Sequence, residues 1–343
     1  MGVFLVYCLA PSDKEHKNEE EKKMKKTLLS LVALTAGLVL AACGNSDKAD
    51  KGEEINIGIL QYMEHDSLSL ARKGFLAKLE EEGYVEGENL TVDYQNAQGD
   101  QSNLQSMSER LAGENDVILT IATPAAQAVA NSTKEDPILF TAVTDPVDAG
   151  LVESMEKPGG NLTGTSDMVP IEEQIALLLS IAPEAKTIGI IYNSSEPNSK
   201  IQADLAEKAL EDQGVKVKVL TVTTTNDVQQ VMTTLAQEVE AVYIPTHNTL
   251  ASTMPTVGEI ATEYKLPVVP GSAEMVDAGA LATYGINYSD LGGQTAELAL
   301  KIIKEGADPA ELSIETSKNL ELVINEEMAK ALGIDPESIS VPK

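Results

Sequence analysis

The sequence has no tryptophan, three phenylalanines, two cysteines and three histidines in 343 residues, and its only arginines are Arg72 and Arg110. Each shortage excludes something. Cys8 lies in a charged leader and Cys43 closes an apolar run, so the body of the chain has no disulfide and must rely on a core. A zinc centre would have to be assembled from His65, His247 and carboxylates, and no metal-ligand spacing is visible. There is no Gly-x-Ser-x-Gly elbow, and the glycines of KPGGNLTG (157–164) lack the Lys-Ser/Thr sequel of a phosphate-binding loop. No enzymatic activity, metal or other cofactor is therefore expected. Arg72 and Arg110 both fall in helical stretches, which argues against sugar phosphates and dicarboxylates as ligands. Basic residues number 25 against 54 acidic ones, a net charge of −29, and such a surface repels nucleic acid and anionic headgroups.

A targeting signal is present. MKKTLLSLVALTAGLVLAAC (24–43) sets two lysines before an apolar run that is too short and too rich in small residues for a comfortable membrane span. It ends in Leu40-Ala41-Ala42-Cys43, the pattern of a bacterial lipobox, where cleavage precedes a diacylated cysteine. We expect a signal peptide over 24–42, lipid attachment at Cys43 and a polar tether over 43–53. The protein would then sit on the outer face of the cell membrane, held by its lipid alone. Residues 1–23 carry KEHKNEEEKK just before Met24 and read as an upstream mis-start, because purine-rich codons there suit a ribosome-binding site. Cleavage before Cys43 would remove six lysines and five acids and leave a formal charge of −30.

Beyond the tether, strand and helix alternate. INIGILQ (55–61), NLTVDYQNA (89–97), DVILTIA (116–122) and PILFTAV (137–143) read as strands separated by helical patterns, the βαβ rhythm of an open parallel sheet. KPGGNLTG reads as a turn and crossing segment. A second alternation starts at Ile171, with strands at 187–193, 215–222, 241–246 and 267–272. The phrase VDAG occurs in both halves, at 147–150 and 276–279, each time just after a proline-led strand. The fold class is α/β, with two similar lobes: 54–168 plus about 282–315, and 169–281 plus about 316–343.

Open parallel sheets bind ligands beyond the carboxyl ends of their strands. The residues there are Gln61 and Tyr62, Thr123, Thr144 and Asp145, Asn193 to Ser195, Thr246 to Asn248, and Ser272 with Glu274. Hydroxyls, amides and a few acids dominate. In ATPAAQ, Thr123 stands at an N-cap position with proline next, so the N–H groups of Ala125 and Ala126 are candidates to hold a carboxylate. The cluster Asn193-Ser194-Ser195 offers similar donors, and Asp145 and Glu274 suit an ammonium group. A ligand with both charges, such as an amino acid, would use both kinds of site. Tyr62, Tyr192, Tyr284 and Phe140 are the candidates for walls around a ring.

GILQYMEHDSL, DYQNAQGDQSNL, IATPAAQA, FTAVTDPVDAGLV, KPGGNLTGTSD, IYNSSEPNS and IPTHNT together resemble one family, from about Ile55 to Ile334. It is the family of ABC-transporter substrate-binding lipoproteins that includes tryptophan-, phenylalanine- and tyrosine-binding members. The resemblance implies a type I periplasmic-binding-protein fold with three hinge crossings, a monomer, closure of the lobes on a small ligand, and delivery to an ABC permease and its ATPase. It places Thr123, Asp145, Ser194, Ser195 and Asn248 in cleft motifs. One position departs: His247 stands where related sequences have an acid, which removes a charge from the site. An aromatic amino acid is the leading ligand, with another small amino acid, a peptide fragment or a nucleoside-like molecule as alternatives. A surface lipoprotein acting as a sensor or adhesin is the alternative function.

Overall fold

A computed structural model describes residues 54–341; the expected leader, lipid site and tether lie outside the described residues. The first sheet is built from β1 (Ile55–Gln61), β2 (Leu90–Asn96), β3 (Val117–Ile121), β4 (Ile138–Val143) and β5 (Leu162–Ser166). A two-residue strand, β11 (Glu315–Thr316), adds to its edge, giving the all-parallel order β11-β5-β4-β3-β1-β2. β3 and β4 are buried along their whole lengths, which is why VILTI and ILFTAV read as unbroken strands rather than alternating ones. Helices α1 (Asp66–Glu81), α2 (Gln101–Leu111) and α3 (Thr123–Ser132) connect them.

The second half contributes α4 (Ile171–Ile181), β6 (Thr187–Asn193), α5 (Pro197–Asp212), β7 (Lys216–Val222), α6 (Val228–Ala236) and β8 (Ala241–Ile244). It continues through a single turn, α7 (Asn248–Ala251), then α8 (Met254–Tyr264), β9 (Val268–Pro270) and α9 (Ala273–Asp277). Its parallel sheet has the order β7-β6-β8-β9. β10 (Ala282–Ile286) and β12 (Leu320–Ile324) form an antiparallel pair, set beside the second sheet by a bridge between Ile286 and Ser272. The fold is thus two α/β lobes with parallel sheets.

Two expectations change. LTGTS, which begins inside the expected turn over 157–164, is a buried strand, β5, with Leu162 opposite Ile138 on β4. The first lobe also does not resume at about 282, because β10 pairs within the second lobe; the chain returns only with α10 (Tyr288–Glu305). The chain therefore crosses after β5, after β10 and between β11 and β12.

The long α10 lies on α1 at backbone contact. A Cβ on Gly74 would stand 1.9 Å from the Ser289 carbonyl, and one on Gly292 would stand 1.8 Å from that of Ala71. Only glycine fits at either place. This contact brings the starts of the two helices together, His65 and Ser67 on one side and Tyr288 on the other.

Candidate functional site

A gap lies between the lobes, at the carboxyl ends of strands from both sheets. The first lobe lines it with His65, Ser67 and Leu68 at the start of α1, Ala142 at the end of β4, Asp167 just past β5 and Tyr288 opening α10. The second lobe supplies Asn198 at the start of α5, Thr246, His247 and Asn248 after β8, and Ser272 and Met275 around α9. The gap holds about 310 Å³ of empty space, yet only about 10 Å³ of it admits the centre of a water molecule. It is a narrow slot between closed walls. No lysine or arginine lines it. A larger groove, with about 1540 Å³ of empty space, lies between α2 and α3 on the flank of the first lobe and gathers none of the unpartnered buried groups described below.

The loop after β8 is ordered by one buried carboxylate. Glu196 Oε1 accepts from the Thr249 N–H (3.1 Å) and hydroxyl (2.6 Å) and from Asn193 Nδ2 (3.3 Å). Its Oε2 accepts from the Asn248 N–H (3.1 Å) and Nδ2 (2.7 Å). Burial alone would push this carboxyl up. The charge available to His247 and the donors of Thr249 and Asn248 outweigh it and hold the group below its ordinary value. His247 Nδ1 accepts from the Leu250 N–H (3.2 Å) and so caps α7. Burial holds its imidazole down to about 4, against the pull of Glu196. At neutral pH His247 is therefore neutral, with its proton on Nε2. Its 3.9 Å approach to Glu196 Oε1 through Nδ1 sets two acceptors face to face and is not an ion pair.

Two further acids flank Tyr288. Its hydroxyl donates to Asp167 Oδ2 (2.7 Å) and its backbone N–H to Glu274 Oε1 (2.9 Å). Burial pushes both carboxyls above the usual carboxylate range and the phenol well above its own. Each acid keeps a second oxygen, Asp167 Oδ1 and Glu274 Oε2, that is buried without a partner among the described residues. The same is true of His65 Nδ1, Asn198 Oδ1, His247 Nε2 and Ser272 Oγ. Buried polar atoms without partners are costly and uncommon; Thr123 Oγ1 is a further one away from the slot, but His65, Asp167, Asn198, His247 and Ser272 all line it, which makes the slot the candidate binding site. At the start of α1, the N–H groups of Ser67 and Leu68 also meet no acceptor among the described residues. They form the free positive end of a sixteen-residue helix.

Of the residues expected from strand ends, Thr246, His247, Asn248 and Ser272 line the slot, and Glu274 stands behind it, bonded to the N–H of the slot residue Tyr288. Thr144 joins the lobes by accepting from Gln202 Nε2 (3.4 Å). The others lie off the slot. Gln61 is fully buried and bonded within the first lobe, to Met63 O (2.8 Å) and the Tyr94 hydroxyl (3.2 Å). Tyr62 is half-buried and off the slot. Ala122, at a φ of 82°, takes the N-cap position instead of Thr123, and its carbonyl accepts the N–H groups of both Ala125 and Ala126, which are therefore not free. Asp145 spends its Oδ1 on the Val147 and Asp148 N–H groups (3.0 and 2.9 Å) and caps its own turn. Ser194 and Ser195 are exposed; their N–H groups go to Val222 O and Asn193 Oδ1. Asn193 is spent on Thr249 and Glu196.

The expected ring walls also move. Phe140 is a core residue, while Tyr62, Tyr192 and Tyr284 are half-buried off the slot, and the aromatic ring that lines it is Tyr288. Sequence reasoning passed over Asp167, His65, Asn198 and Tyr288. Asp167 was findable: it follows a strand end, had LTGTS been read as a strand.

The profile of one family, the ABC transporter substrate binding proteins, matches residues 56–342. The chain is 41% identical over 321 residues to the tyrosine-binding protein of Clostridioides difficile (strain R20291), covering 90% of this chain and 93% of that one. Among solved structures it resembles an ABC domain from Streptococcus pneumonia in complex with L-Trp, with a TM-score of 0.78 and 39% identity, over 85% of this chain and 97% of that one. It also resembles a Clostridium difficile substrate binding protein with adhesive properties in its ligand-free, open form. There the TM-score is 0.66 at 45% identity, over 84% and 99% of the two chains.

Proposed function

The chain belongs to the ABC transporter substrate binding protein family, and on that footing we propose that it captures an aromatic amino acid between its lobes and hands it to an ABC permease for import. The observation that carries this reading is the set of buried, unpartnered polar atoms in the slot. Most are acceptors, one of them a carboxylate oxygen of Asp167 without a cation nearby, as an ammonium group requires. The free N–H groups at the start of α1, with the Ser67 and Ser272 hydroxyls, suit the ligand's carboxylate. Tyr288 offers a ring beside them. Capture needs no catalytic group, and the ligand leaves unchanged.

The slot is too narrow to admit such a ligand unless the lobes part. The two solved relatives support that motion: likeness is greater to the L-Trp complex than to the open, ligand-free protein, although identity is lower. Anchoring through lipid at Cys43 belongs to the same reading; Cys43→Ser should release the protein from membranes into the medium. A thermal-shift screen of the full chain against the twenty amino acids tests the core of it. At least one aromatic amino acid should raise the melting temperature; a shift with sugars or nucleosides and none with amino acids would overturn it. A second reading, adhesion at the cell surface, has support in the relative with adhesive properties. It predicts that deleting the gene impairs attachment while leaving amino-acid uptake intact.

A further inference from the structure

Two histidines face the slot from opposite lobes, and the structure fixes the proton on each. For His247 the Leu250 N–H donates to Nδ1, so Nδ1 carries the lone pair and Nε2 the hydrogen. For His65 the logic runs through Asn248. Asn248 Nδ2 donates to the Glu196 carboxylate at 2.7 Å, which settles that side chain's orientation. Its Oδ1 is then the atom 3.3 Å from His65 Nε2, and it can only accept. His65 Nε2 therefore carries the hydrogen and Nδ1 the lone pair. His65 keeps an edge near the surface, but its Nδ1 is buried, as is His247 Nε2, and neither has a partner among the described residues. Burial lowers the pKa of both rings, that of His247 to about 4. The slot thus contains one fixed donor and one fixed acceptor of imidazole type, in addition to the Asp167 carboxyl that suits an ammonium group.

We propose that His65 and His247 select for a ring hydroxyl on the ligand, which donates to His65 Nδ1 and accepts from His247 Nε2–H. The inference rests on the amino-acid reading above and narrows it to a phenolic amino acid. Phenylalanine would leave both nitrogens buried and unpaired. An indole N–H could satisfy His65 but would leave His247 Nε2–H without an acceptor. A site built to bond a hydroxyl discriminates far more strongly than one that merely accommodates it, because the analogue strands buried polar groups.

Calorimetric titration of the full chain in detergent with L-tyrosine, L-phenylalanine and L-tryptophan tests this. L-Tyrosine should bind about 100-fold or more tighter than L-phenylalanine, with L-tryptophan between them. In His247→Asn the asparagine oxygen can still cap α7, and in His65→Leu no cap is lost, since the His65 side chain makes none. Each substitution should cut the tyrosine-to-phenylalanine ratio at least tenfold. The ratio is the readout because a loosened fold or weaker closure lowers both affinities together. Equal affinities for the two ligands in the unmodified chain, or a ratio that survives both substitutions, would overturn the assignment while leaving the amino-acid reading in place. Failure of every amino acid to bind would overturn both.

Discussion

Asp167→Asn should move stability and binding in opposite directions. The ligand-free protein buries this carboxyl, with Tyr288 bonded to one oxygen and no hydrogen-bond partner on the other among the described residues. Asparagine keeps the size and can still accept from the Tyr288 hydroxyl, but it carries no charge to desolvate. The variant should therefore melt higher than the parent without ligand. With ligand, the amide presents an N–H to an ammonium group, and a buried charge pair is lost. Breaking such a pair costs about 2–5 kcal/mol, roughly 30- to 4,000-fold in affinity. The pH dependence adds a sign. Burial raises the folded pKa of Asp167 above its unfolded value, so between the two the folded state holds more protons. Ligand-free stability should fall as pH rises from the unfolded carboxyl range through the folded value, while affinity for an ammonium ligand rises over the same interval. Both trends should flatten in the variant. Melting curves and calorimetry from pH 4 to 8 read both quantities. Unchanged affinity in Asp167→Asn would refute the ammonium contact, and a lower ligand-free melting temperature would refute the uncompensated burial.

Two further outcomes follow from the loop after β8 and from the helix pair. The His247 pKa is held down to about 4 in the fold, against about 6.5 in an unfolded chain. Stability should be full above the unfolded value and lost as pH falls from there towards 4; His247→Asn should remove that part of the acid transition, and an unchanged acid melt would contradict the buried neutral ring. Gly292→Ala drives a methyl into the Ala71 carbonyl. It should cost about 1–3 kcal/mol in denaturant unfolding and weaken ligand binding as Tyr288 shifts, whereas a neutral result would mean that the helices separate freely.

The sequence makes the architecture readable because parallel strands buried on both faces appear as short apolar runs, and Ile118 to Val143 supplies two of them in succession. β5 escapes that signal: it is written in leucine, glycine and small hydroxyls behind a Pro-Gly-Gly turn, and its burial comes from its neighbours. The strand-end rule locates Thr246, His247, Asn248 and Ser272, since topology alone decides where those loops emerge. It fails at Asp145, Ser195 and Ala125 because short polar side chains and first-turn N–H groups compete for nearby backbone partners, and that contest is settled by local geometry. The two VDAG copies show the same limit. Both end in a glycine at positive φ, Gly150 at 70° and Gly279 at 140°, so the phrase itself is a turn device. The acids at matching places before it diverge, Asp145 folding back on its own loop and Glu274 bonding across to the Tyr288 N–H.

The contact of Gly74 and Gly292 with bare backbone leaves no side chain to exchange at those two points of the seam. Where atoms of the main chain touch, substitution has nothing to tune. The frame of the half of the site carried by α1 and α10 is thus a fixed datum, the same in any descendant that keeps the fold. The other half hangs on side-chain bonds around Glu196, each of which one codon can alter. A lineage that changes its ligand can reshape the loop at residues 246–248 and 272, whereas on the opposing jaw it can exchange side chains such as His65 and Asp167 but not move the frame that carries them.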